Sequence, residues 1–147
     1  MTGPDDELYS ASLMAKGDTL HQLGASDSSR EREAVAVWKA LAADPSIPLR
    51  RRNQALCKAG DVLHALGDDD GALDCYRTAF LNPRSPEPEQ LWHDRAAFQA
   101  ARLLEARQQW RDAVALYDSL VSEGGARASE AKARLSKLRL ENFLWEN

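Results

Sequence analysis

One nine-residue string nearly repeats itself along the chain. Lys16-Gly17-Asp18-Thr19-Leu20-His21-Gln22-Leu23-Gly24 aligns with Ala59-Gly60-Asp61-Val62-Leu63-His64-Ala65-Leu66-Gly67 at an offset of 43, with six of nine positions identical. A second set, Ala34, Trp38, Leu41 and Pro45, aligns with Ala72, Tyr76, Ala79 and Pro83 at an offset of 38. The five-residue difference places an insertion in the Ser/Arg/Glu-rich stretch 25–33 of the first unit. A third copy is fainter. Ala113, Tyr117 and Leu120 stand 41 residues after Ala72, Tyr76 and Ala79, and Ala101 and Leu104 stand 41 after Gly60 and Leu63. Self-similarity at such a period means stacked supersecondary units that share one core, because a single unit cannot bury its apolar face alone.

Each unit reads as a helix pair. Ala, Leu, Arg, Glu and Gln dominate, and these are good helix formers. Apolar residues recur at i, i+3, i+4, i+7: Ala34, Val37, Trp38, Leu41; Leu56, Ala59, Gly60, Leu63; Ala113, Leu116, Tyr117, Leu120. No alternating Val/Ile/Thr run signals a strand. Pro45 and Pro48, then Pro83, Pro86 and Pro88, then Gly124-Gly125 divide the chain, since proline cannot continue a helix and glycine ends one. Shorter breaks at 24–29, 67–71 and 107–109 split each block. The expected architecture is all-α: three antiparallel helix pairs, about 8–45, 48–83 and 88–123, and a capping helix at about 127–143. Small residues (Gly17, Gly60, Ala34, Ala72, Ala113) are placed where helices approach closely. The aromatics Trp38, Tyr76 and Tyr117 are expected to fill the space between neighbouring pairs.

The second unit resembles a tetratricopeptide repeat. It carries the small-x-x-Leu of Gly60 and Leu63, the turn Leu66-Gly67-Asp68, the Ala-x-x-x-Tyr-x-x-Ala of Ala72, Tyr76 and Ala79, and the closing Pro83. The likeness covers roughly 8–122. Its spacings of 38 to 43 exceed the usual ~34, and the third unit lacks both glycines. Sel1-like and HEAT-type repeats are the neighbouring families, and the extra Gly-rich turn of the former is not evident. The resemblance implies a right-handed superhelix, in which the first helices of the pairs line a concave groove that holds a peptide or partner helix. Carried over by position, that groove includes Met14, Asp18, His21 and Gln22; Cys57, Asp61, His64 and Ala65; and Phe98, Arg102, Glu105 and Ala106. The family's carboxylate clamp wants Asn, Lys and Arg here. With Asp18 and Asp61 present, a basic or amphipathic ligand is expected instead of an acidic C-terminal tail. Against this stands the simpler reading that the repeated Asp-x-x-His is inherited repeat sequence, merely solvated.

Other constellations carry less. Cys57, Asp61 and His64 share one helix face and are legitimate zinc ligands, yet no second His/Cys pair completes a tetrahedral site, so no metal is expected. Asp68-Asp69-Asp70-Gly71 fails as a calcium loop, because Leu66 and Arg77 would occupy its first and last positions; it reads as a helix-capping turn. Arg50-Arg51-Arg52, with Arg84, is either an anion-binding spot or a solvated face. His93 stands isolated beside Trp92. Neither a GxSxG nor a phosphate-binding glycine loop is present, so no cofactor and no catalysis are expected. The tail Phe143-Leu144-Trp145 either folds back on the last repeat or projects to a partner.

Composition narrows the class. The 147 residues carry 19 Lys and Arg against 23 Asp and Glu, a net charge of −4, which disfavours non-specific nucleic-acid binding. Neither an apolar run long enough for a membrane span nor a signal-peptide pattern is visible, and two cysteines make no disulfide scaffold. A cytoplasmic location is expected. Fourteen arginines against five lysines is the usage of a GC-rich genome and points to bacteria. The expected function is protein–protein interaction through the groove. The alternative is a structural module that pairs chains through the C-terminal tail and helix edges, as a homo-oligomer.

Overall fold

The computed structural model describes residues 4–23, 28–83, 91–125 and 127–142, with only the backbone at 4–7 and 23. Seven helices follow in chain order: α1 (Pro4–Leu23), α2 (Ser28–Ala43), α3 (Leu49–Ala65), α4 (Asp69–Leu81), α5 (Leu91–Ala106), α6 (Trp110–Glu123) and α7 (Ala128–Asn142). Among the described residues there is no strand, and no helix is long and apolar enough to cross a membrane. The aromatic tail 143–147 and Arg84 lie outside the described residues.

Each helix packs mainly on its neighbours in the chain, and α3 also packs on α5. This near-neighbour pattern is that of a helical repeat, in which one core runs along the row of helices. Trp38, Tyr76 and Tyr117 are among the largest fully buried side chains, and each comes from the second helix of its pair. Beside them Ala34, Ala72 and Ala113 have no exposed surface. Glycine opens the space for two of the rings. A Cβ on Gly60 would stand 2.6 Å from Tyr76 Cε1, and one on Gly17 would overlap the Trp38 indole. At those two positions a missing methyl lets the second helix lay its ring on the backbone of the first.

The turns obey backbone hydrogen-bonding rules. After α3, the amides of Gly67 and Asp68 donate to the carbonyls of His64 and Leu63, the Schellman pattern, with Gly67 at φ +86°. Asp68 then caps α4, its carboxylate accepting from the Gly71 amide at 2.9 Å. The α5–α6 turn repeats the pattern: Gln108 and Gln109 donate to Glu105 and Leu104. Here Gln108, not glycine, takes the left-handed conformation at φ +61°.

Candidate functional site

The first helices α1, α3 and α5 carry the acids on which the sequence reading centres. All of those acids are engaged. Asp18 on α1 meets Lys58 of α3 at 2.5 Å. Asp61 on α3 accepts from the Tyr76 hydroxyl of α4 and, at 3.0 Å, from Arg95 Nη2 of α5. Glu105 on α5 accepts from the Tyr117 hydroxyl of α6 at 2.5 Å. It also accepts from Arg134 of α7 through Nε at 2.9 Å and Nη2 at 3.0 Å. The device is built three times. A carboxylate on the first helix of a pair is grasped by a cation from the first helix of the next pair, or from α7, above the aromatic of its own second helix. At the first level the aromatic is Trp38, whose buried indole N–H finds no partner, and Lys58 lies 5.9 Å from its ring centroid.

These contacts shape the chemistry. Burial pushes the Tyr76 hydroxyl well above the usual phenol range, and donation to the Asp61 carboxylate adds to the effect. Tyr117 is raised in the same way, by burial and then by its bond to Glu105. For Arg95 and Arg134 burial works against the charge, but their carboxylate partners outweigh it and hold both guanidinium groups charged. Burial raises the Cys57 thiol to about 12, with the nearby Asp61 charge adding to the rise, and it raises Cys75 as well. A buried thiol of this kind is the opposite of an activated nucleophile. Cys57 instead donates to the Trp92 carbonyl at 3.3 Å.

The other residues expected to line a groove divide by burial. Met14, Cys57 and Phe98 are core residues with almost no exposed surface, and none of them lines the cleft described below. Phe98 packs edge-on against Tyr117 of α6 with ring centroids 5.5 Å apart, and Cys57 faces the Trp92 carbonyl of α5. Gln22, Ala65 and Ala106 are exposed. His21 and His64 are also exposed, and each binds an acid in the first turn of the following helix: His21 with Glu31 at 2.7 Å and His64 with Asp69 at 2.6 Å. Arg102 is exposed and, among the described residues, has no ion pair or hydrogen bond.

One cleft opens on this face, between α3 and α5. Its volume is about 360 Å³, and His64, Tyr76, Gln99, Arg102, Leu103 and Ala106 line it. His64 and Arg102 are thus brought together, whereas Asp18 and His21 belong to α1 and do not reach the cleft. Gln99 is a lining residue that the repeat spacing does not reveal. The helical spacing from Gln99 to Arg102 and Ala106 could have found it.

Other constellations resolve into local contacts. The three aspartates of 68–70 cap α4, bind His64 and pair with Arg107, respectively. In the arginine run, Arg52 donates through Nε to the Ala42 carbonyl at 3.0 Å and so closes the end of α2. Arg51 reaches Gln54, and Arg50 and Arg51 make further contacts. His93 and Asp94, both buried on α5, bring donor atoms within 4.8 Å of a Glu123 oxygen on α6, a geometry that can hold a cation. His93 Nδ1 is 3.1 Å from Asp94 Oδ1, and Asp94 and Glu123 each have additional polar contacts. Compared with known protein families, with curated proteins and with solved structures, the chain matches none.

Proposed function

We propose that the chain is a non-catalytic protein-interaction module, a tetratricopeptide-like row of three helix pairs and a cap that receives a peptide or partner helix on the face of α1, α3 and α5. The observation that carries this reading is the α3–α5 cleft, with apolar walls from Leu103, Ala106 and Tyr76 and polar groups from His64, Gln99 and Arg102. The charge clasps around it hold the helices in register before any ligand arrives, so binding requires little reorganisation. The buried, protonated thiols of Cys57 and Cys75 are not poised as nucleophiles, in keeping with a binding role. The test is affinity capture from native lysate with the intact chain and with Ala106→Trp, which fills the cleft from an exposed position. A protein retained by the first and lost by the second supports the reading; capture that ignores the substitution overturns it.

A second reading, pairing of chains, is favoured by exposed apolar side chains at both ends of the row: Leu8 and Tyr9 on α1 and Leu140 on α7. Light scattering of the full chain and of a chain lacking 143–147 separates the two. A concentration-dependent dimer lost on truncation favours pairing.

A further inference from the structure

We propose that the α3–α5 cleft selects an acidic side chain, the carboxylate of a Glu or Asp within an amphipathic peptide, and that Arg102 is the residue that binds it; this rests on the reading of the cleft as a peptide-binding surface. The expectation from the sequence has the opposite sign, because Asp18 and Asp61 suggest a basic ligand. The difference lies in which charges are already satisfied. Asp61 is held by Arg95 and Tyr76, Glu105 by Arg134 and Tyr117, Asp18 by Lys58, and Asp69 by His64. Among the described residues the one charged group of the cleft without a partner is the Arg102 guanidinium.

The geometry suits a carboxylate flanked by apolar groups. Gln99, Arg102 and Ala106 fall on one stripe of α5, at successive turns. The planar guanidinium offers a fork of N–H donors that matches two carboxylate oxygens, and the Gln99 amide adds a neutral donor one turn away. Leu103, Ala106 and the Tyr76 ring supply the apolar wall against which an amphipathic segment packs.

The experiment is an NMR titration of the full chain with three blocked amphipathic peptides of about 14 residues, identical except that the polar positions are Glu, Gln or Lys. All three are amidated, and a fourth, the Gln peptide with a free C-terminus, tests whether a terminal carboxylate serves equally. The Glu peptide is expected to shift the Arg102 Nε–H and the amides of Gln99 and Ala106, and to bind about tenfold more tightly than its Gln twin. Arg102→Gln is expected to erase that difference with an unchanged helical spectrum, because the side chain is exposed. Equal or tighter binding of the Lys peptide in the same cleft overturns the charge inference and leaves the cleft reading standing. A Glu preference that survives Arg102→Gln likewise removes Arg102 from the role. Absence of any cleft shift with all four peptides overturns both.

Discussion

The α3–α4 and α5–α6 pairs reach the same geometry by different means. Their turns share one hydrogen-bond pattern, with Gly67 and Asp68 in the first and Gln108 and Gln109 in the second. The first turn has the residues that local chemistry prefers, a left-handed glycine and an aspartate cap. The second has neither: its left-handed residue is a glutamine, and Gln109 makes no side-chain cap bond. Long-range contacts run the other way. Glu105 is gripped by both Nε and Nη2 of Arg134 and is 16% exposed at the side chain, whereas Asp61 receives one guanidinium bond and is 35% exposed. The weaker local signal thus sits beside the better-made tertiary clasp, as expected if context can override local preference.

The largest expected effect tests the close approach of α3 and α4. Gly60→Leu places a branched side chain where a Cβ alone already stands 2.6 Å from Tyr76, and overpacking of this kind costs about 3 kcal/mol. Ala101, the residue 41 positions later, is buried with a Cβ in place, so Ala101→Gly costs about 1 kcal/mol through helix propensity. Urea unfolding of both variants measures the contrast; a neutral Gly60→Leu would show that the Tyr76 ring is free to move away. Next in size are the clasps. Glu105→Ala leaves Arg134 and the Tyr117 hydroxyl without their shared acceptor and is expected to destabilise by about 2 kcal/mol. Asp61→Ala, at the more exposed site, is expected to cost about 1 kcal/mol. The reverse order of these two would remove the asymmetry described above.

Alkaline titration separates the regions again. Cys57 on α3 holds its proton to about 12 in the folded chain, chiefly through burial. The position 41 residues later is Phe98, which does not titrate. An unfolded thiol ionises near ~8.5. Between those values the folded state binds the extra proton, so its contribution is complete below the unfolded value and is lost as pH rises. Cys57 accounts for a loss of about 1 kcal/mol between pH 7 and about 9.5. Urea midpoints measured across that range should fall less steeply for Cys57→Ala than for the parent chain, with Cys75 left to supply the remaining slope.

Much of the helical layout is readable from residues alone, because prolines, Gly67, Gly124 and the small–large alternation are local signals. The clasps are not. Asp18 pairs 40 residues ahead with Lys58, Asp61 pairs 34 ahead with Arg95, and Glu105 pairs 29 ahead with Arg134. The interval falls from 40 to 34 to 29, so no fixed period exposes it. Position also misleads in the third unit: a constant offset of 41 matches Asp61 to Arg102, while the acid that does the equivalent work is Glu105, one turn further on. That displacement leaves Arg102 over as a free cation. Equally hidden was the burial of Met14, Cys57 and Phe98. A position in a motif gives the helix but not the few tens of degrees that divide a groove wall from a core.

Gln108→Gly carries the comparison to its smallest effect and its clearest sign. The left-handed conformation brings Cβ close to the carbonyl in any residue but glycine, at a cost of about 1 kcal/mol. Gln108 bears that strain at φ +61°, where Gly67 at φ +86° does not. Replacing it lowers the strain in the folded state but gives the unfolded chain more freedom, so the net gain is about 0.5 kcal/mol. The reciprocal Gly67→Gln introduces the strain, with no neighbouring atom within 4 Å of the new Cβ to confuse its origin, and is expected to lose a similar amount. If the α5–α6 turn is held by the Glu105 clasp, then Gln108→Gly should recover more stability in the Glu105→Ala background than in the parent chain. Equal gains in the two backgrounds would mean that turn strain and clasp are independent, and that the clasp does not compensate for the missing glycine.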